Sequence, residues 1–565
     1  MGGFTAFFAP TTLGTTVALC SAVPAIARAL PPGYVPGRPE ETVLYRIVKG
    51  HLDELLEHVD ASYAAPLPKY VIDEFREYLA CGKFDRGFLR CRCDECGHDM
   101  LVAFSCKRRG MCPSCANRRM CNEAAHLTDR VLPNVPIRQW VLSLPFPLRR
   151  LAAFRADVLT ALSGMFVEEI FRATGVRTKE TEGGAVTFVQ RFGGSLNLNV
   201  HFHVVVLDGA FERRADGARF RESPPPSHEA IERVARRVYD RALRWLRRNG
   251  HLDAREPEHR SNANDESALD ACARLALFSG GLTDAGDDRD PDHSRGPFDA
   301  PAPKRFSARY EGFDVHAAVR IEANDDDGRE RLLRYCARPP FALDRLSLTG
   351  DGQVSYRVKY ARGRRTHRVM SPVEFLARLA ALIPPPKFPL VRYHGVLAPN
   401  SKWRKHVVPR LSEDQRCQLD VKKAEAPGCT KHERPQLQSP PSRQPAPSRA
   451  NNVAMRAPSQ PVAALAHNAI TVRHWGRLLD GALLATASRI PWADLLRRTH
   501  GVEALVCPTC QGPVRVLAAI TEPATAKAIL GALGVVEPPK PKPPAPSKAR
   551  ARRPSQQLVL PFAAG

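Results

Sequence analysis

Between Leu196 and Leu207 the sequence runs Leu-Asn-Leu-Asn-Val-His-Phe-His-Val-Val-Val-Leu, a nearly strict two-residue alternation. That period belongs to a β-strand. It puts His201 and His203 on one face with their bases roughly 6 to 7 Å apart, close enough to share a metal ion. Asn197 and Asn199 continue the polar row, while Leu196, Leu198, Val200, Phe202, Val204 and Val206 line the opposite, buried face. A His-x-His triplet alone is weak, since 18 histidines in 565 residues produce roughly 0.6 such triplets by chance. The strand around it carries the weight.

Cysteine supplies a second chemistry. Cys93-x-x-Cys96 and Cys112-x-x-Cys115 are separated by fifteen residues, a spacing that suits four thiolates closing a tetrahedron around one structural Zn²⁺. Two hairpin-like turns would present the pairs, with Cys106, Cys91 and His98 as alternative ligands. Lys107, Arg108 and Arg109 lie between the pairs, with Arg118 and Arg119 just after; they form a basic loop suited to DNA phosphates or to solvent. Cys507-Pro-Thr-Cys510 is half of another such site. It needs His500, another distant ligand or a second subunit, or it remains an empty thiol pair. Fifteen cysteines in so long a chain, several grouped as Cys-x-x-Cys, point to metal sites in a reducing compartment rather than to disulfides.

A third group is Arg331-Leu-Leu-Arg-Tyr335-Cys-Ala-Arg338-Pro-Pro. Leu332, Leu333 and Cys336 share one helical face, and Pro339 and Pro340 stop the helix. Tyr335 then sits on the last turns among Arg331, Arg334 and Arg338, whose guanidinium groups suit phosphate oxygens and ease ionisation of a phenol. The same residues also fit a tyrosine packed at a helix end beside solvated arginines.

The elements that must position these groups follow from the rest of the chain. Its length suits three or four domains. Net charge is +24 and pI about 9.7, which favours a polyanionic partner such as nucleic acid. No Gly-x-x-x-x-Gly-Lys-Ser/Thr loop occurs, so no nucleotide cofactor is expected. Phe4 to Ala27 is uncharged, but no basic residue precedes it, and Pro10 and a Thr-rich stretch interrupt it. We read 1–35 as a disordered or mispredicted extension. With no other apolar run of spanning length, no membrane partner is expected. Residues 36–130 form a helical plus zinc-binding domain and 136–400 a mixed catalytic region. The latter contains the His strand, an amphipathic helix from Ile231 to Arg248 ended by Gly250, and a Gly/Asp/Pro-rich surface insertion at 281–304. Arg237 and Arg244 on that helix could reach phosphates or face solvent. Residues 401–465 form a Pro/Ser/Arg-rich linker, 466–535 a small module with the last Cys-x-x-Cys, and 536–565 a basic disordered tail.

Six segments then share one resemblance. Trp140–Pro145, Phe188–Gly193, Leu196–His203, Gly312–His316, Arg334–Pro340 and Tyr393–Pro399 together resemble the rolling-circle insertion-sequence transposases of the HUH class, more narrowly the ISCR group. The likeness spans about residues 40 to 400 and resumes from Trp492 to Ile520. It implies an α+β fold: a HUH endonuclease domain with a central antiparallel sheet flanked by helices, preceded by a small zinc-binding domain. It also implies that His201 and His203 hold Mg²⁺ or Mn²⁺ and that Tyr335 is the nucleophile; Gln190 and His316 are candidates for a third ligand. Some relatives carry a second tyrosine one turn earlier, where Arg331 stands here, so a single-tyrosine scheme follows. The implied function is nicking and rejoining of single-stranded element ends through a 5′-phosphotyrosine, by a cytoplasmic, nucleoid-associated bacterial transposase. The alternatives are a plasmid or phage replication initiator, and a non-enzymatic zinc-dependent DNA-binding protein.

Overall fold

The helical periodicity at 41–80 becomes two helices, α1 (Val43–Ser62) and α2 (Lys69–Ala80). The hydroxyl of Thr42 starts α1 by accepting from the Tyr45 N–H at 3.2 Å. A hairpin follows, β1 (Phe88–Cys93) and β2 (Asp99–Ala103), and then α3 (Pro113–Arg130), with Pro113 at its first position. The computed structural model describes residues 38–214, 217–251, 266–277, 306–362, 365–409, 493, 495–496, 498 and 503–535. The expected extension at 1–35, the insertion at 281–304, the linker from 410 onward and the tail at 536–565 lie outside the described residues.

The mixed region begins with β3 (Ile137–Ser143), α4 (Phe146–Phe154) and α5 (Ala156–Ala173). Strands β4 (Thr181–Glu182), β5 (Gly184–Phe192), β6 (Leu198–Leu207), β7 (Gly209–Arg214) and β8 (Gly217–Glu222) follow. Next come α6 (His228–Arg248) and α7 (Ala268–Leu277), β9 (Ser307–Tyr310), β10 (Phe313–His316), β11 (Arg320–Ile321) and α8 (Asp326–Cys336). Strands β12 (Leu346–Leu348), β13 (Val354–Arg362) and β14 (Arg365–Met370), helix α9 (Pro372–Leu382), β15 (Val391–Gly395) and α10 (Arg404–Val407) complete it. Seven strands make one antiparallel sheet in the order β15-β5-β6-β3-β10-β9, with β11 also on β3. The expected α+β architecture, a zinc-binding domain ahead of an antiparallel sheet flanked by helices, is what the chain adopts.

The histidine strand β6 lies inside this sheet, between β5 and β3. Its face with Val200, Phe202, Val204 and Val206 packs into the largest core, against side chains of α4, α5, α6 and α9 such as Leu162, Phe166, Val238 and Phe375. The His face is covered too. Val205 and Phe188 on that side meet Leu127 of α3 and Leu332, Leu333 and Cys336 of α8. The polar row is therefore roofed by helices rather than open to water, which alternation within one strand cannot reveal. Each apolar side chain fully buried this way contributes about 1.5–3 kcal/mol, enough to fix the register and hence the direction of both imidazoles.

Residues 503–535 differ from the separate module expected at 466–535. Strand β16 (Val514–Ile520) pairs antiparallel with β1, Phe88 opposite Ile520 and Cys93 opposite Val514, giving a three-stranded sheet β16-β1-β2. Helix α11 (Pro523–Ala532) lays Ala526 and Leu530 against Phe88 and Leu101. Thirty-odd residues cannot enclose a core; here they find one in the amino-terminal hairpin. Residues 401–409, expected in the linker, carry α10 instead, and Val407 packs under the sheet with Leu397.

Candidate active site and metal centres

On β6 the rings of His201 and His203 lie 4.9 Å apart, centroid to centroid. Both are buried, at 9% and 3% exposure. His201 donates its Nδ1–H to the carbonyl of Asn199 at 2.9 Å, which leaves the ring's lone pair on Nε2. Burial, the largest cause, pushes the His201 pKa down to about 4, with Arg338 and Arg149 adding to the shift. The imidazole is thus neutral at physiological pH, as a metal ligand must be. His203 is braced by Gln139 of β3, whose side-chain amide lies 2.8 Å from Nδ1. An amide can face that nitrogen with oxygen or NH₂, so it suits either ring tautomer. Gln139 belongs to no sequence motif and was not expected here; its place two residues from Val141, which pairs with His203, is the signal that could have found it.

Helix α8 brings Tyr335 over this pair. Asp325 caps its start, accepting from the Gly328 N–H at 2.7 Å. At its other end Gln190 of β5 donates to the carbonyls of Tyr335 and Cys336, each at 2.9 Å, satisfying groups that a helix terminus leaves without partners. The helix stops at Cys336, ahead of Pro339 and Pro340. The ring of Tyr335 meets that of His203 nearly edge to face, 5.5 Å between centroids, yet is 40% exposed. Accessible phenol and buried imidazoles therefore adjoin one another. Arg338 lies over the Tyr335 ring at 5.3 Å and over Phe192 at 5.0 Å. Arg331 is exposed on the same helix, and Arg334 pairs with Glu330.

The two candidates for a third ligand are placed otherwise. Gln190 faces His201 across the β5–β6 ladder, but its amide holds the end of α8 and its oxygen accepts from Arg338 Nε at 3.3 Å. His316 pairs with Val141, itself paired with His203; two strand spacings, about 10 Å, separate it from the pair. Among the described residues no third His, Cys, Asp or Glu joins the two histidines in a tight ligand group.

The cysteines require a correction. Cys93, Cys96, Cys112 and Cys115 do not form one site. Cys112 and Cys115 gather with Cys81 and Cys106, and Cys93 and Cys96 with Cys507 and Cys510. In the first group the Sγ atoms of Cys112 and Cys81 are 3.5 Å apart, of Cys106 and Cys115 3.5 Å, and of Cys81 and Cys115 3.8 Å. Tetrahedral Zn–S bonds of 2.3 Å imply edges of about 3.8 Å. Hydrogen bonding among the thiols, chiefly with Cys106, drives Cys115 far below the usual thiol range and Cys112 far above it. Cys112 and Cys115 sit at the start of α3 rather than on a hairpin turn. Cys-x-x-Cys spacing announces a knuckle but does not name its mate, and Cys81, being single, gave no signal. His98 and Cys91, both close enough in sequence to be ligands, stand in neither group.

The basic loop is also partly committed. Arg109 donates to the Phe388 and Pro385 carbonyls at 2.9 and 2.8 Å, and buried Glu74 accepts from the Arg109 and Gly110 N–H groups, both at 3.1 Å. That guanidinium clasps the zinc-binding domain to the segment after α9. Arg108 approaches Glu77 at 3.8 Å, while Lys107 is exposed on a left-handed residue of φ 55°. On α6, Arg237 pairs with the buried Glu169 at 3.7 Å, and Arg244 donates to its own helix at the Asp240 carbonyl.

A basic α+β chain with a cysteine-rich amino-terminal domain and a buried His pair under a tyrosine-bearing helix has the parts that DNA processing needs. Comparison with protein families agrees: residues 47–144 match the family described as "Transposase zinc-binding domain" and residues 184–405 the family described as "Putative transposase". Over these two segments the chain is similar to transposases, and the first cysteine group lies wholly inside the matched zinc-binding domain. No match was found among curated proteins or solved structures. No helix among the described residues is long and apolar enough to cross a membrane.

Proposed function

We propose that this chain is a transposase that cuts and rejoins single-stranded DNA at element ends in rolling-circle transposition, with Tyr335 as the nucleophile. The observation that carries the reading is the contact of the exposed Tyr335 ring with the buried His203, itself beside His201. The Tyr335 phenol oxygen attacks phosphorus in line and gives up its proton. The phosphorus–O3′ bond breaks, leaving a 5′-phosphotyrosine and a 3′-oxygen that takes up a proton. Attack by a 3′-hydroxyl on the phosphotyrosine reverses the step, and because the ester bond is conserved, no nucleotide is needed. The His201 Nε2 lone pair beside the His203 ring suits a divalent ion completed by substrate oxygens. Bound there, Mg²⁺ or Mn²⁺ would polarise a phosphoryl oxygen. Arg338 and Arg331, flanking the tyrosine, hold phosphate charge, and Gln190 fixes the end of the helix that carries it. Tyr393, on β15, is a poorer nucleophile because burial pushes its phenol up to about 12.

The test is incubation of the protein with labelled single-stranded element ends and Mn²⁺, followed by denaturation. The unsubstituted chain should give a covalent adduct and Tyr335→Phe none, with DNA binding retained. An adduct in Tyr335→Phe, or one mapped to Tyr393, would remove the assignment. In the same reading, Cys81, Cys106, Cys112 and Cys115 hold the structural zinc of the amino-terminal domain.

A further inference from the structure

The second cysteine group lies partly outside the matched zinc-binding domain, since Cys507 and Cys510 fall far beyond residue 144. Its two halves are built alike. The Cys93 N–H donates to the carbonyl five residues on, His98, at 2.9 Å, and the Cys507 N–H to Gly512 at 2.8 Å. The Cys93 carbonyl accepts from the Gly97 N–H at 3.1 Å, and that of Cys507 from Gln511 at 3.0 Å. The residue four positions after the first cysteine is left-handed in both, Gly97 at φ 72° and Gln511 at φ 65°. Two separate stretches thus fold into the same thiol-presenting turn and face one another. Cys93 Sγ lies 3.4 Å from Cys510 Sγ, and Cys96 Sγ 3.6 Å from Cys507 Sγ. These lengths approach the edge of about 3.8 Å expected for thiolates around one zinc. The turns fit closely: a Cβ on Gly512 would meet the Glu95 carboxylate at 2.5 Å, and the Asp94 N–H donates to the Pro513 carbonyl at 3.2 Å.

We propose that Cys93, Cys96, Cys507 and Cys510 hold a second structural zinc ion, which fastens residues 503–535 to the amino-terminal hairpin. Four thiolates around Zn²⁺ carry a net charge of about −2, and one guanidinium stands close by. The Arg92 guanidinium lies against Gly97 of the first turn, while Arg515, opposite Arg92 in the ladder, is paired with Asp94 of that turn at 2.5 Å. The Thr509 N–H also points at Cys507 Sγ, at 3.4 Å, a contact that favours the thiolate. The ion would do more than close a turn. Arg498, nine residues before Cys507, pairs with Asp129 of α3 and with Glu330 of α8 at 2.6 Å. A residue shortly ahead of the fastened segment therefore touches the helix that carries Tyr335.

The experiment is metal analysis of the full chain. The unsubstituted protein should carry two zinc equivalents and the Cys507→Ser/Cys510→Ser protein one. A single equivalent in the unsubstituted chain, or two in the double variant, overturns the proposal. Should the variant fail to fold, thiol alkylation of the unsubstituted protein during stepwise chelation decides the question. Cys93, Cys96, Cys507 and Cys510 should become reactive together as one equivalent leaves. Alkylation of Cys507 and Cys510 while Cys93 and Cys96 stay protected, or disulfides joining these residues in a non-reduced peptide map, would refute it. Neither readout depends on DNA cleavage, so the result stands or falls apart from the role of Tyr335.

Discussion

The sheet that carries the histidines and the sheet that carries the second cysteine group differ in what lies behind them. Strand β6 is packed on both faces, by the main core on one side and by Leu332, Leu333 and Leu127 on the other. Strand β1 has only two small apolar groups, Phe88 with Leu101, Ile520 and Leu530, and Cys91 and Cys93 with Met100 and Val102. A large sheet can hold reactive side chains in place by packing alone, so an ion there is free to serve chemistry. A small one lacks the buried area, so an ion there replaces the missing core. One metal would be exchangeable and the other part of the fold.

The sharpest way to break that contrast is His203→Ala. If packing positions the site, cleavage should fall by about 1000-fold or more, in line with loss of several kcal/mol of charge stabilisation. The main thermal transition should survive, as followed by circular dichroism. Collapse of that transition, or retained cleavage in Mn²⁺, would erase the distinction between the two sheets. A smaller effect is expected from Gln190→Ala, which releases the Tyr335 and Cys336 carbonyls. Losing these bonds should cost about 1–2 kcal/mol of stability and lower adduct formation roughly tenfold by loosening the helix end. Zinc content should be unchanged; a loss of zinc would mean that the two regions are not independent.

The smallest effect concerns pH. Burial pushes His394 on β15 down to about 4, with Arg392 adding to the shift, and Thr187 Oγ1 lies 3.0 Å from its Nε2. Its unfolded pKa is about 6.5. The folded chain therefore binds fewer protons between those values. The stability contributed is full above about 6.5 and is lost as pH falls toward 4. Urea unfolding of the large sheet should weaken by the order of 1 kcal/mol for this group between pH 7 and pH 5, and His394→Asn should reduce that slope, leaving the part due to His201. A slope unchanged in the variant would assign the acid sensitivity elsewhere.

Much of the molecule is legible in sequence where a residue's role depends on near neighbours along the chain. Helix α6 is readable from its period and from Gly250, which takes φ 69° just past its end; the His face of β6 is readable from alternation. Roles set by distant segments are not. Arg109 looks like any loop arginine until residues 385–388 fold against it. Gln190 offers an oxygen to a metal on paper, but α8 claims its amide. The pairs Cys93-x-x-Cys96 and Cys112-x-x-Cys115 are legible as thiol-presenting segments, yet joining them to one another is wrong. The spacing between two knuckles says nothing about a third one near the other end of the chain.

The pairing of β16 with β1 also sets an order of events during synthesis. Some 411 positions separate Cys96 from Cys507, and at about 5–20 residues/s a ribosome needs roughly 20–80 s to cover them. Throughout that interval β1 has β2 on one side and an unpaired edge on the other, and every strand of the large sheet emerges before β16 does. A message cut short before β16 would yield a chain able to build the histidine sheet but not to finish its amino-terminal domain. Completion of the amino-terminal sheet is thus tied to synthesis of residues 514–520, more than 400 positions after its first strand.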